Sequence, residues 1–121
     1  MPRKAKVFLI DDNENIRNSI KESLEQEGHE VPIEAGSLEE ALIKVSDVAQ
    51  KGVTIAIIDG SLSPPGTAFT NDGEKVASAL KKKAPDIKII SFSSHRANWG
   101  DKNLIKSEVA TSQLGKIVTD L

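Results

Sequence analysis

Val7-Phe8-Leu9-Ile10-Asp11-Asp12 is four apolar residues followed at once by two acids. An unbroken apolar run of this length, without alternation, predicts a strand buried on both faces. Further strands are read at residues 53–58, apolar apart from Thr54, which lead into Asp59, and at 87–92, where Lys88 and Ser91 interrupt the apolar residues, which lead into Ser93. Between these runs the period changes. Ile16, Ile20 and Leu24 recur every fourth residue among polar neighbours, which predicts a helix with one apolar stripe, stopped by Gly28. Residues 29–35 read as a weaker strand, and Pro32 within it predicts the sheet edge. Ser37 reads as a helix cap with Glu40 as its capping-box partner. Leu38, Ala41, Leu42, Val45 and Ala49 carry that helix on to Gly52. A loop rich in Ser, Pro and Gly runs from Asp59 to about Asn71. Asp72 then caps a helix bearing Val76, Ala77, Leu80 and Ala84, which ends before Pro85. Residues 103–105 read as a short last strand. From Ser107 a terminal helix carries Ala110, Leu114, Ile117, Val118 and Leu121 on one face. Strand and helix alternate, so the expected class is α/β: a doubly wound parallel sheet with right-handed crossovers.

The composition narrows the function classes. The chain has 121 residues, a single domain's length, with 38% hydrophobic and 28% charged residues. It has no cysteine, which excludes a disulfide framework, a thiolate metal site and a catalytic thiol. A net charge of −2 argues against direct nucleic-acid binding by bulk charge. No apolar run approaches the roughly 20 residues of a membrane helix. Basic Arg3, Lys4 and Lys6 precede only a short apolar run that ends in acids, unlike a signal peptide. A soluble, cytoplasmic protein without membrane insertion is expected.

The polar residues at the strand ends carry the functional reading. Open parallel sheets place their sites beyond the carboxyl ends of strands. Asp11 and Asp12 follow the first strand, Asp59 the third, Ser93 the fourth and Lys106 the fifth. Carboxylates brought within about 5 Å repel by roughly 3 kcal/mol per pair at an effective dielectric of 20. Such a cluster favours a hard divalent cation with oxygen ligands, and Mg2+ fits one or two carboxylates, waters and a phosphate. A lysine and a hydroxyl opposite it suit a phosphoryl oxygen. An aspartate can itself act as nucleophile and form an acyl phosphate.

With these residues in place, the chain resembles the receiver domain of two-component response regulators over residues 1–121. Val7-Phe8-Leu9-Ile10-Asp11-Asp12-Asn13-Glu14-Asn15-Ile16-Arg17 is similar to that family's acidic-pair motif and following helix. Ile55-Ala56-Ile57-Ile58-Asp59 is similar to its phosphoacceptor strand, and Ile87-Lys88-Ile89-Ile90-Ser91-Phe92-Ser93 to the strand ending in its switch hydroxyl. The resemblance implies a flavodoxin-like five-stranded sheet in the order 2-1-3-4-5. It implies that Asp59 is phosphorylated, that Asp12 ligates Mg2+ directly and that Asp11 acts mainly through water. The Ser61 carbonyl would be a further metal contact, while Ser93 and Lys106 would engage the phosphoryl group. The phosphodonor would be a sensor histidine kinase or a histidine phosphotransfer protein. The chain would catalyse its own phosphorylation and slower dephosphorylation rather than turn over a substrate, and signal by binding a partner protein.

The sequence departs from the family pattern in four places. The loop between Asp59 and Gly73 is long and contains Pro64-Pro65-Gly66. Lys106 comes only 13 positions after Ser93, too few for the family's fourth helix, so that helix is expected to be reduced or absent. Ser107 stands where the family has a proline after the lysine, so a trans peptide bond is expected there. Asn103 stands where an aromatic switch residue is common. Two further expectations follow. With the fourth helix short, Trp99 and the terminal helix's apolar stripe are expected to form a homodimer or partner-protein interface, the alternative being a monomer in which the short segment folds over the sheet edge with Trp99 as its plug. The alternative function is a phosphorylation-independent pseudo-receiver acting as an interaction module. An aspartate-nucleophile phosphatase is disfavoured, because Asp59-Gly60-Ser61 lacks the second acid of that motif. Lys81-Lys82-Lys83 reads as a solvated helix end, and neither His29 nor His95 has a second ligand nearby in sequence.

Overall fold

The computed structural model describes residues 4–59, 72–94 and 97–121. Five strands, β1 (Lys6–Ile10), β2 (Glu30–Ala35), β3 (Ile55–Ile58), β4 (Lys88–Ser93) and β5 (Lys102–Ile105), pair in parallel in the order β2-β1-β3-β4-β5. The described helices are α1 (Glu14–Gln26), α2 (Leu38–Lys44), α3 (Asp72–Lys83) and α4 (Leu114–Thr119). This is the expected doubly wound sheet. The three apolar runs form β1, β3 and β4, the strands with a neighbour on each side, and β3 is buried at every residue. Pro32 lies on edge strand β2, where no further strand needs its missing N–H.

Two apolar layers sandwich the sheet. On one face Phe8, Ile10, Ala56, Ile58 and Ile89 pack with Ala41 of α2 and with Val76, Ala77 and Leu80 of α3. On the other, Val7, Leu9, Ile57 and Ile90 pack with Ile20 and Leu24 of α1 and with Leu114 and Val118 of α4. Alternate residues of each central strand serve opposite faces, so their buried positions are apolar apart from Ser91 and Ser93 of β4, and the Ser91 hydroxyl is satisfied by Asn103.

Several expected boundaries shift. Regular helix in α2 stops at Lys44 and tightens into a 3-10 turn over Val45–Asp47; Ala41, Val45 and Val48 form the buried face, while Leu42 and Ala49, both expected on it, are exposed. The Ser37 hydroxyl accepts from the Glu40 N–H as a cap should, but the Glu40 carboxylate accepts from Gly36 N–H at 2.6 Å, not from the cap residue. Asp72 is the first residue of α3 rather than its cap. The terminal helix is shorter than its stripe predicts: a 3-10 turn over Thr111–Gln113 precedes six residues of α4.

The connection from β4 to β5 spans residues 94–101, shorter than the dozen or so residues that parallel strands usually need. Among the described residues it holds no helix, as the 13-residue spacing predicts. Side chains close it instead. Asp101 takes the Ile89 N–H on its carboxylate at 2.8 Å and also pairs with Lys81 at 3.0 Å. The Ile89 hydrogen bond, opposed by desolvation and aided by Lys81, holds the Asp101 carboxyl below its ordinary pKa. Asn103 accepts from Gly100 N–H and donates back to the Gly100 carbonyl, and its Oδ1 also accepts from the Ser91 hydroxyl at 2.8 Å. Where the family places an aromatic switch, this chain therefore has a fastener for a short crossover.

The expected pairing of Trp99 with the terminal helix is overturned. Trp99 packs on the α2–α3 face of the sheet. The terminal helix lies on the other face, where α1 covers Leu114 and Val118. Three polar ties lock α4 to its neighbours. Ser23 Oγ accepts from Gly115 N–H at 2.9 Å and donates to the Ser112 carbonyl, while buried His29 places Nε2 2.8 Å from Thr119 Oγ1. His29 Nδ1 accepts from Ala5 N–H at 2.9 Å, so the ring joins the start of β1 to α4.

Candidate functional site

The sheet fixes the backbone of the site before any side chain acts. Asp11 N–H donates to the Ala35 carbonyl, Asp59 N–H to the Ile10 carbonyl, and Lys106 N–H to the Ser93 carbonyl, at 3.1, 2.9 and 2.8 Å. Each residue thus continues its strand's ladder one step past the strand's end. The apolar runs register against each other, Ile10 opposite Ile58 and Ser93 opposite Ile105, so the residues that follow meet at one rim.

At that rim Asp11, Asp12 and Asp59 each offer a carboxylate oxygen, all within 4.8 Å of one another. Asp11 and Asp59 are buried, at 2% and 6% exposure, and Asp12 is open to solvent. The Lys106 ammonium lies 3.0 Å from Asp11 Oδ2 and 3.3 Å from Asp59 Oδ2, and 5.7 Å from the centre of the Phe92 ring. Desolvation pushes Lys106 toward the neutral form, but the Coulombic pull of Asp59, then of Asp11, with both hydrogen bonds, outweighs it. The net effect raises its pKa above the ordinary 10.5. A cation with a raised folded-state pKa stabilises the fold fully below the unfolded value; that contribution is lost as pH rises through the folded one. Among the described residues no peptide bond is cis, so Lys106–Ser107 is trans and the lysine still reaches both carboxylates. Ser93 is buried at the end of β4.

Asp11, Asp12, Asp59 and Lys106 are therefore brought together as the sequence predicts, with Ser93 at the end of the strand flanked by β3 and β5. Ser61, the loop that follows Asp59 with Pro64-Pro65-Gly66, and His95 lie outside the described residues. Two contributors have no role in the sequence reading. Arg17 Nη1 donates to the Asp11 carbonyl at 2.6 Å and Nε pairs with Glu34 at 3.5 Å, tying the acidic turn to α1 and β2. Asn13 caps α1 through its Oδ1, and its N–H donates to Asp11 Oδ1 at 2.9 Å. Asn13 carried a readable signal, a polar residue before a helix. Arg17 did not, because its partner Glu34 lies on a different element.

An all-oxygen set of three carboxylates, one of them solvent-facing, suits Mg2+, which keeps several waters and prefers few protein ligands. The ammonium beside them is the feature a simple cation site lacks, and it suits an anion brought in with the metal.

No family model matches the chain, nor does any curated protein sequence. Solved structures do. The CheY-like response regulator receiver domain protein from Methanospirillum hungatei superposes with a TM-score of 0.75 over 98% of this chain and 93% of its own, at 22% identity. The fold is that of a response-regulator receiver domain. The response regulator domain of Thermotoga maritima CheB superposes on 98% of this receiver-fold chain and 92% of its own, with a TM-score of 0.70 and 17% identity. Borrelia burgdorferi CheY, in a complex with CheX, BeF3 and Mg2+, covers 96% of this chain and 87% of its own, with a TM-score of 0.74 and 18% identity. Four described helices with five strands in receiver order fit a receiver fold with one helix reduced. No helix among the described residues is long and apolar enough to cross a membrane.

Proposed function

We propose that residues 1–121 form a phosphoacceptor receiver of a two-component phosphorelay. The observation that carries this reading is the Lys106 ammonium set within 3.3 Å of two buried carboxylates, beside a third that faces solvent. Asp59 is the nucleophile: a carboxylate oxygen bonds to phosphorus as the phosphorus–nitrogen bond of a phosphohistidine breaks, leaving an acyl phosphate. Asp12, Asp11 and Asp59 would hold Mg2+, with Asp11 acting mainly through water and, as the resemblance implies, the Ser61 carbonyl as a further contact. The ion, when bound, offsets the negative charge of carboxylates and phosphoryl oxygens. Lys106 then turns from the carboxylates to a phosphoryl oxygen, and the Ser93 hydroxyl donates to another. Arg17 and Asn13 keep the acidic turn in place.

The expected donor is a sensor histidine kinase or a histidine phosphotransfer protein, in the cytoplasm. Output is a phosphorylation-dependent protein contact. Drawing Lys106 and Ser93 to a new anion shifts the population of the chain segments after β4 and β5. Asn103, engaged with Gly100 and Ser91, takes no part as an aromatic readout.

Calorimetric titration with Mg2+, followed by labelling from a small phosphodonor, tests this reading. Mg2+ is expected to bind with submillimolar to millimolar affinity and to be required for labelling. Asp12→Ala is expected to weaken binding about tenfold or more, since it removes the solvent-facing carboxylate. Unchanged Mg2+ affinity in that variant contradicts the role given to Asp12, and labelling without Mg2+ contradicts the metal's role.

A further inference from the structure

The sheet face bearing α2 and α3 has two features that the phosphoryl site does not use. One is a ridge on α2. Leu42 and Ile43, 43% and 74% exposed, are the exposed large apolar side chains among the described residues. Exposed Glu39 lies one turn before them, so the ridge is apolar with an acidic flank. The other is a cleft of 410 Å3 along α3, lined by Glu74, Ala77, Ser78, Lys81, Lys82 and Trp99. Trp99 is packed on the core and supplies its apolar wall. Lys82 is exposed on its rim, and Lys81 is engaged with Asp101 on the β5 side. Glu74 is the single acid among the lining residues, and exposed Lys75 and Lys83 add to the basic charge of α3.

We propose that two copies of this chain associate through this face, the Leu42–Ile43 ridge of each seated in the Trp99 cleft of the other. Three observations select a second copy as the occupant. The ridge is apolar with exposed Glu39 on its flank, the cleft joins the apolar Trp99 wall to exposed Lys82 on its rim, and both belong to the same face. α2 packs against one side of α3, and the Lys81–Asp101 pair marks the other side as facing β5. A two-fold axis over α3 therefore brings both ridge–cleft pairs together at once, and the assembly closes as a dimer. Glu39 meets Lys82 at the rim, which orients the pair, while Ile43 and Trp99 lie near the centre, where apolar and aromatic groups carry most of the affinity.

Sedimentation equilibrium of the full chain over about a hundredfold range of concentration tests this, without Mg2+ or phosphodonor, so the outcome is independent of the phosphoryl reading. The wild type is expected to show a monomer–dimer equilibrium. Ile43→Glu is expected to abolish the dimer, and that exposed position leaves folding, checked by circular dichroism, unaffected. Glu39→Lys is expected to weaken the dimer about tenfold by placing like charges together, and Glu39→Lys with Lys82→Glu to restore it. A monomer at every concentration overturns the proposal. So does a dimer that Ile43→Glu leaves intact, or a charge swap that the second substitution does not rescue.

Discussion

Gly115→Ala is expected to lower stability by about 3 kcal/mol, and the melting temperature by about 10 °C. A methyl group built at Gly115 falls inside contact distance of the Ser23 carbonyl and 2.9 Å from Glu27 Cγ. The obstacle is backbone in α1, which cannot rotate away. Gly115 N–H also donates to Ser23 Oγ, so separating the helices breaks that bond as well. Gly36 provides the contrast. Its added methyl meets Arg17 Nη1 at 3.0 Å, the far end of a flexible side chain, and Gly36→Ala is expected to cost about 1 kcal/mol or less. Thermal denaturation of the two variants measures the difference. A Gly115→Ala melting point near wild type contradicts the close α1–α4 approach.

Lys106→Met is expected to destabilise the metal-free protein by about 3 kcal/mol at neutral pH. The substitution leaves the stem's apolar length but removes the cation shared by two buried carboxylates. Their mutual repulsion, on the order of 3 kcal/mol at an effective dielectric of 20, is then uncompensated. Two recoveries are expected. Millimolar Mg2+ restores much of the loss by binding the folded state alone. Asp59→Asn in the Lys106→Met background restores it without metal by removing one of the charges. Urea denaturation of the single and double variants, with and without Mg2+, reads both effects. Equal destabilisation in the single and double variants contradicts the electrostatic account.

The site was more legible in the sequence than the surfaces around it. Asp11 and Asp59 directly follow apolar strands, Asp12 comes one residue later, Lys106 follows the short strand β5, and parallel pairing leaves these strand ends at one rim. Position along the chain was enough to group them. Trp99 was not legible in this way. Its place depends on which sheet face the β4–β5 crossover runs over, and no periodicity in residues 94–101 encodes that. The apolar stripe of the terminal helix was legible only in part: Leu114 and Val118 are buried, Ala110 is exposed ahead of the helix, and the cover left no signal. Leu114 and Val118 are buried by α1, held through Ser23 and His29 across 86 to 92 positions of sequence. A polar pair so distant leaves no local pattern. Ala49 failed for a local reason: the 3-10 turn after Lys44 brings Val48 onto the buried face with Ala41 and Val45 and leaves Ala49 exposed.

The central claim is that Asp59 accepts a phosphoryl group. Intact-mass spectrometry after incubation with acetyl phosphate and Mg2+ tests it most directly. The wild type is expected to gain the mass of one phosphoryl group, labile at alkaline pH as an acyl phosphate is. Asp59→Asn, a near-isosteric change that keeps the fold, is expected to gain none. Absence of any adduct on the folded wild type, or stoichiometric labelling of Asp59→Asn, would contradict the account.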